Sequence, residues 1–317
     1  MSLIYFIFQN SLLFIVPLIV VALGGMFSER SGVINIALEG IMIIGAFFSV
    51  FFINAFQGKI SPQLLYMIAL LIATVSGLVF SLLHAYASIN MKANQTISGT
   101  ALNLFAPAFA VYIARMAQGY SQIDFNNNFR IEKVPLLGDI PVIGPLLFQN
   151  AYITTYIGIL ILVIASFVLF KTRFGLRLRS CGEHPQASDA AGISVKKMRY
   201  AGVMISGALA GMGGLIFVVP ISTNFSGSVA GYGFLAIAVL IFGQWKPSRI
   251  LLAATFFGLM KTISSVSTII PFLAVMNLPS AIYKITPYLA TLVVLAFTSK
   301  NSAAPKAAGE PYDAGKR

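Results

Sequence analysis

Residues 151–170 read AYITTYIGILILVIASFVLF, and residues 171–179 read KTRFGLRLR. The first stretch holds twenty residues without a charge. At about 1.5 Å of rise per residue, that is enough for one helix to cross the hydrocarbon core of a bilayer. The second stretch holds four cations, Lys171, Arg173, Arg177 and Arg179. A step from an apolar run to a Lys/Arg cluster marks the cytoplasmic exit of a membrane span.

Working outward, eight more stretches qualify, at approximately residues 11–27, 33–53, 64–89, 97–116, 200–222, 229–245, 250–270 and 281–299. They are too long and too uniformly apolar for the alternating strands of an outer-membrane barrel, so helices are expected. Over all 317 residues, 58% are hydrophobic and 9% charged, against about 25% charged in soluble domains. The fold class is therefore an all-α, polytopic transmembrane helical bundle of about nine spans. One transmembrane domain is expected over residues 1–299, followed by a tail, 300–317. The first run has no cation before it and no small-residue cleavage site after it, so it reads as a retained span. Residues 2–8 are apolar enough for a half-span or an interfacial segment.

The cations fix an orientation. With the loop 173–199 (Lys196, Lys197 and Arg199 included) placed in the cytoplasm, that side also receives Arg30, Lys92, Lys246, Arg249, Lys300, Lys306, Lys316 and Arg317. The opposite side receives Lys59, Arg115, Arg130 and Lys133. The expectation is an amino terminus outside and a carboxyl terminus in the cytoplasm. The net charge of +12 is thus explained by short loops rather than by a groove for nucleic acid, and no nucleic-acid partner is expected. Residues 117–150, rich in Asn, Pro and Gly, read as an extracytoplasmic lid or docking loop.

No catalytic constellation is legible. The chain lacks a GxxxxGK[ST] phosphate loop, a GxSxG elbow and an HExxH pair. His84 and His184 lie far apart, without a nearby set of Cys, Asp or Glu at metal spacing, and Cys181 is the one cysteine. More informative are polar residues inside apolar runs, where an ionised side chain costs at least about 2.5–3.5 kcal/mol. Asn35 and Glu39, four apart, are expected on one face of the second span. Lys261 falls near the middle of the eighth. Glu39 and Lys261 are expected to face the interior or a wet cavity and to neutralise one another, the alternative being that each reaches a boundary. Gln95, Gly99 and Asn103, with Thr96 and Thr100 beside them, form a polar face on the fourth span that suits a path. Asn94 is equally placed to cap that helix, and Gln95 to satisfy neighbouring backbone. In the sixth span, Gly207 with Gly211 and Ala210 with Gly214 are small residues four apart, which signals close helix packing.

The cytoplasmic loop also carries a resemblance. FGLRLRSCGEHPQASDAAGI, Phe174–Ile193, is similar to the coupling segment of the branched-chain amino acid and simple-sugar ABC permease superfamily. Within it, FSERSGVINIALEG (Phe27–Gly40), NQTISGT (Asn94–Thr100) and GEPY (Gly309–Tyr312) most resemble nucleoside-type permeases. The resemblance implies a multi-pass protein of the bacterial plasma membrane. It would work with ABC ATPase subunits, a second related permease and an extracytoplasmic solute-binding lipoprotein. No cofactor is expected on this chain, ATP and Mg being held by the partner ATPase. The docking role falls on Gly182, Glu183, His184, Ala187, Ala190, Gly192 and Ile193, with a short helix from about Pro185 to Ala191. For a nucleoside, Asn103 and Thr100 suit the ribose, and Phe105 or Tyr232 the base. A ribose or branched-chain amino acid permease is the near alternative, and an ion-coupled carrier a distant one.

Overall fold

The computed structural model describes residues 3–266, 285, 289 and 304–313. Ten α-helices order the described chain: α1 (Leu3–Arg30), α2 (Leu38–Phe56), α3 (Pro62–Ala85), α4 (Gln95–Gln118), α5 (Ile153–Lys171), α6 (Arg173–Glu183), α7 (Pro185–Ala190), α8 (Val195–Ile221), α9 (Tyr232–Phe242) and α10 (Pro247–Ser265). A π turn, Tyr86–Asn90, extends α3. Six of them, α1, α2, α3, α4, α5 and α8, are long and apolar enough to cross a membrane. The chain is a helical membrane bundle, as its composition demands.

The bundle is organised around α8, which lies against α1, α2 and α3. The small residues anticipated there explain why. A Cβ on Gly207 would collide with Ser81 of α3, one on Gly211 with the Ala73 carbonyl of α3, one on Gly213 with Val21 of α1, and one on Gly214 with the Met42 carbonyl of α2. In lipid, apolar side chains gain nothing by leaving the solvent, so close backbone approach and dispersion hold helices together.

Two runs that read as continuous spans are interrupted. The second begins as helix only at Leu38, because residues 31–37 form two turns and an extended stretch. Asn35 is therefore not on a helical face with Glu39. It lies in the irregular segment, and its Nδ2 donates to Ser206 Oγ at 2.9 Å. Ser206 stands eleven residues into α8, about 16 Å along its axis, so the break sits well inside the bundle. The run 229–245 contains only the eleven-residue α9, about 16 Å long and too short to span. Its start is delayed by left-handed backbone at Ala230 (φ 53°) and Gly231 (φ 76°), conformations that end or precede helices. Residues 3–8 are not a separate half-span: they are the first turns of α1, a single helix of 28 residues. α10 has the length for the eighth span but, with Arg249 and Lys261, is less apolar than the six. The run 281–299 lies essentially outside the described residues.

The long loop is built, not slack. Within and beyond it are four short strands, β1 (Ile123–Asp124), β2 (Ile131–Lys133), β3 (Gln149–Ala151) and β4 (Asn224–Phe225). β1 pairs antiparallel with β4, and β2 with β3. Side-chain amides bind it to the bundle: Asn54 to the Asp124 carbonyl (2.7 Å), Gln63 to that of Phe129 (3.0 Å), and Asn127 to that of Val219 (2.7 Å). Asn127 comes from the loop's own polar composition, whereas Asn54 and Gln63 lie near helix ends far away in sequence and hold the loop by its main-chain carbonyls.

Candidate functional site

The irregular backbone of residues 31–37 would be untenable in a bilayer without internal hydrogen bonds. Side chains from α3 and α4, with Asn35 itself, supply them. Ile34 N–H donates to Gln95 Oε1 on α4 at 2.7 Å. The Ile34 carbonyl lies 2.9 Å from His84 Nε2 on α3, whose Nδ1 faces Ser98 Oγ at 3.1 Å. Asn103 spans the far end, accepting from Gly40 N–H at 2.7 Å and donating to the Ile36 carbonyl at 2.9 Å. Asn35 Oδ1 accepts from Ala37 N–H at 3.1 Å.

Glu39, in the first turn of α2, closes the arrangement. Its Oε1 accepts from Gly231 N–H at 2.9 Å and its Oε2 from Gly233 N–H at 2.6 Å, at the start of α9. The carboxylate thus sits between the positive ends of two helices. Two charge-assisted hydrogen bonds at about 1.5–3 kcal/mol each offset an intramembrane penalty of about 2.5–3.5 kcal/mol. These backbone donors, rather than Lys261, satisfy it, and no ion pair joins the two among the described residues. Lys261 is half-buried on α10.

Of the expected path residues, Asn35, Glu39, Gln95 and Asn103 therefore converge on the break. Tyr232 adjoins it, buried and stacked on Phe217 with ring centres 3.9 Å apart. Thr100 and Phe105 lie on the exposed side of α4. Phe105 stacks between Phe80 and Phe109 and lines an open apolar groove of about 680 Å³ with Ile44, Phe48, Leu71 and Val75. His84 and Ser206 were not singled out from sequence as site residues, since nothing local marks a partner fifty or more residues away. Asn94 caps α4, accepting from Thr96 and Ile97 N–H at 2.9 and 3.2 Å. Asn103→Ala strands two buried backbone groups, so a loss of about 2 kcal/mol is expected, read as a lowered unfolding temperature of the purified protein in detergent.

At one end of the bundle, α6 and α7 make the segment 173–193. Pro185 begins α7, where a missing N–H is harmless. Gln186, Ala187, Ala190 and Gly192 are exposed, as is His184. Gly182 and Glu183 instead face the body: a Cβ on Gly182 would strike the Arg30 carbonyl, and Glu183 pairs with Arg30 at 3.5 Å. Ile193 is half-buried. Cys181 is fully buried in α6, and burial pushes its thiol pKa up. Because the thiolate is the reactive form, the native protein is expected to resist maleimide at pH 7 and to label fully once unfolded, as mass spectrometry will show.

A family profile described as the permease component of a branched-chain amino acid transport system matches residues 7–296. The chain belongs to this permease family. The permease is 45% identical over 309 residues to the guanosine ABC transporter permease protein NupQ of Bacillus subtilis (strain 168), covering 97% of this chain and 96% of that protein. It is 43% identical over 310 residues to the nucleoside ABC transporter permease protein NupC of Lactococcus lactis subsp. cremoris (strain MG1363), covering 96% of each. A putative glucose ABC transporter permease protein, TsgC13 of Haloferax volcanii, is 29% identical over 304 residues, 88% of this chain and 87% of its own. No solved structure matches. The permease is thus a membrane transport component and not an enzyme.

Proposed function

We propose that this permease forms, with a second related permease, the membrane pathway of an ATP-driven importer of nucleosides. The observation that carries the substrate class is the 43–45% identity, over nearly the full length, to permeases named for guanosine and nucleosides. On this reading α7 seats in an ATPase subunit, with His184, Ala187, Ala190, Gly192 and Ile193 at the contact and Gly182 and Glu183 fixing the segment to the body. ATP and Mg belong to that subunit. An extracytoplasmic binding lipoprotein delivers the solute to the side of residues 117–150.

The orientation keeps the amino terminus outside and the carboxyl terminus in the cytoplasm. Lys and Arg support it: Arg30, Lys92, Arg199 and the tail gather at the end that carries α7. Nine crossings are retained if residues 222–231 with α9, then α10 and the run 281–299, each make one. Asn35, Glu39, Gln95, Thr100, Asn103, Phe105, Tyr232 and Lys261 remain the path candidates. Four of them hold the break, which is the natural hinge for alternating access; Thr100 and Phe105 offer a hydroxyl and an aromatic face on α4.

Uptake of radiolabelled nucleosides by the complex reconstituted in liposomes tests this. The expected result is ATP-dependent, vanadate-sensitive uptake in which unlabelled nucleosides compete and glucose, ribose and leucine do not. Competition by a sugar or by leucine alone would move the substrate class. Uptake driven by an ion gradient without ATP would replace the importer with a carrier.

A further inference from the structure

We propose that residues 304–313 are a strap that makes the coupling segment and the helix break move as one body, with Arg199 as its positioning residue. The strap lies across the end of α6 and the turn just past α1, and its main chain hydrogen-bonds to both. Ala307 N–H donates to the Gly182 carbonyl in the last turn of α6 at 2.9 Å, and Gly309 N–H donates to the Gly32 carbonyl, just past α1, at 3.2 Å. The last four carbonyls of a helix have no partner within it, so a segment offering N–H groups two residues apart staples α6 to the turn that opens the break. Tight turns, Ala308 N–H to the Pro305 carbonyl and Glu310 N–H to the Ala307 carbonyl, hold the strap in that shape.

Side chains fix its far half. Arg199 is 1% exposed, and its Nη1 donates to the Glu310 carbonyl at 2.8 Å. Its guanidinium lies 6.0 Å from the Tyr312 ring centre. The guanidinium fits because Gly32 has no side chain: a Cβ there would sit 2.9 Å from Nη2. Gly309 adopts φ +86°, and a Cβ on it would meet Ile34 Cδ1 at 2.9 Å. Asp313 pairs with Lys92, 3.1 Å away, beside the start of α4. The strap therefore touches α6, the turn at Gly32, Ile34 of the break, α8 and the lead into α4. Ile34 is held by Gln95 and His84, and two residues further on Asn103 ties Ile36 to Gly40, the neighbour of Glu39, whose carboxylate holds the start of α9.

Without the strap, a thrust on α7 reaches the break through the Arg30–Glu183 pair, the Gly182 contact and the packing of α6 and α7 on α8, none of which is a main-chain hydrogen bond among the described residues. Two backbone hydrogen bonds with a buried arginine behind them resist sliding. The function assigned to the strap is thus to convert motion of the coupling segment into motion of the break, and it rests on the reading that α7 docks an ATPase.

The test compares the complete reconstituted complex with one whose permease ends at residue 303, scoring [³H]guanosine imported per ATP hydrolysed. In the truncated complex, ATP hydrolysis at equal assembled amounts is expected to persist, while guanosine per ATP falls at least about fivefold. Gly309→Val, which keeps the chain but displaces it from Ile34, is expected to give the same fall with an unchanged unfolding temperature. Arg199→Met is expected to lower the ratio and Arg199→Lys to restore part of it. An unchanged ratio in the truncated complex, or in Gly309→Val should the truncated chain fail to assemble, overturns the strap. A complete complex that imports guanosine without hydrolysing ATP overturns instead the importer reading on which it rests.

Discussion

Glu39→Ala is expected to unseat α9 and abolish uptake. The substitution leaves the Gly231 and Gly233 N–H groups without acceptors inside the bundle and removes the negative charge from the start of two helices. Losing charge-assisted bonds while stranding their donors costs about 3–5 kcal/mol, a large part of a typical folding free energy of about 5–15 kcal/mol. The unfolding temperature in detergent should drop sharply, and ATP-driven uptake should fall by at least about a hundredfold. Glu39→Gln should be intermediate: its carbonyl oxygen satisfies one N–H, but its amide group presents hydrogens to the other. Uptake and thermal stability both at the parental level in Glu39→Ala would show that the α9 start is held by something else.

Gly214→Leu should disrupt the assembly of the bundle itself. The position faces the Met42 carbonyl of α2, and Gly211, one turn earlier, brings the α3 backbone similarly close at the Ala73 carbonyl. A flexible side chain yields to an intruding methyl group, but a helix backbone does not. Three packed helices would have to separate, at a cost of about 3 kcal/mol or more. Size-exclusion chromatography of a fluorescent fusion should show aggregate in place of the monodisperse peak. Leu252→Phe, adding volume at a position 70% exposed on α10, should leave that peak intact. A monodisperse Gly214→Leu protein would mean that α8 is not closely packed there.

These two sites differ in how far the sequence revealed them. Small residues four apart in α8 announce close packing by themselves, and Gly207, Gly211 and Gly214 pack as their spacing suggests. Hydropathy found the long helices because apolarity reports which solvent a segment occupies. It is silent on continuity, so 33–53 and 229–245 read like intact spans although helix begins only at Leu38 and Tyr232. Ser31, Gly32 and Asn35 hint at the first interruption, and Gly227 and Gly231 at the second. What makes each tolerable in lipid lies elsewhere in the chain: His84 and Gln95 for one, Glu39 for the other. Glu39 was recognised as costly, but a carboxylate can be satisfied by backbone as well as by a cation, and sequence does not distinguish these. Likewise, the resemblance marked Gly182 and Glu183 as part of the coupling segment, while only three-dimensional packing turns them inward.

The antiparallel pairing of Ile123 with Phe225 has a mechanical consequence. Residues 117–150 and the stretch that leads into α9 share a main-chain ladder, so a load borne by that loop is delivered six residues ahead of Gly231. Since Gly231 is held by Glu39, a push on that loop and a pull from the end that carries α7 arrive at one carboxylate.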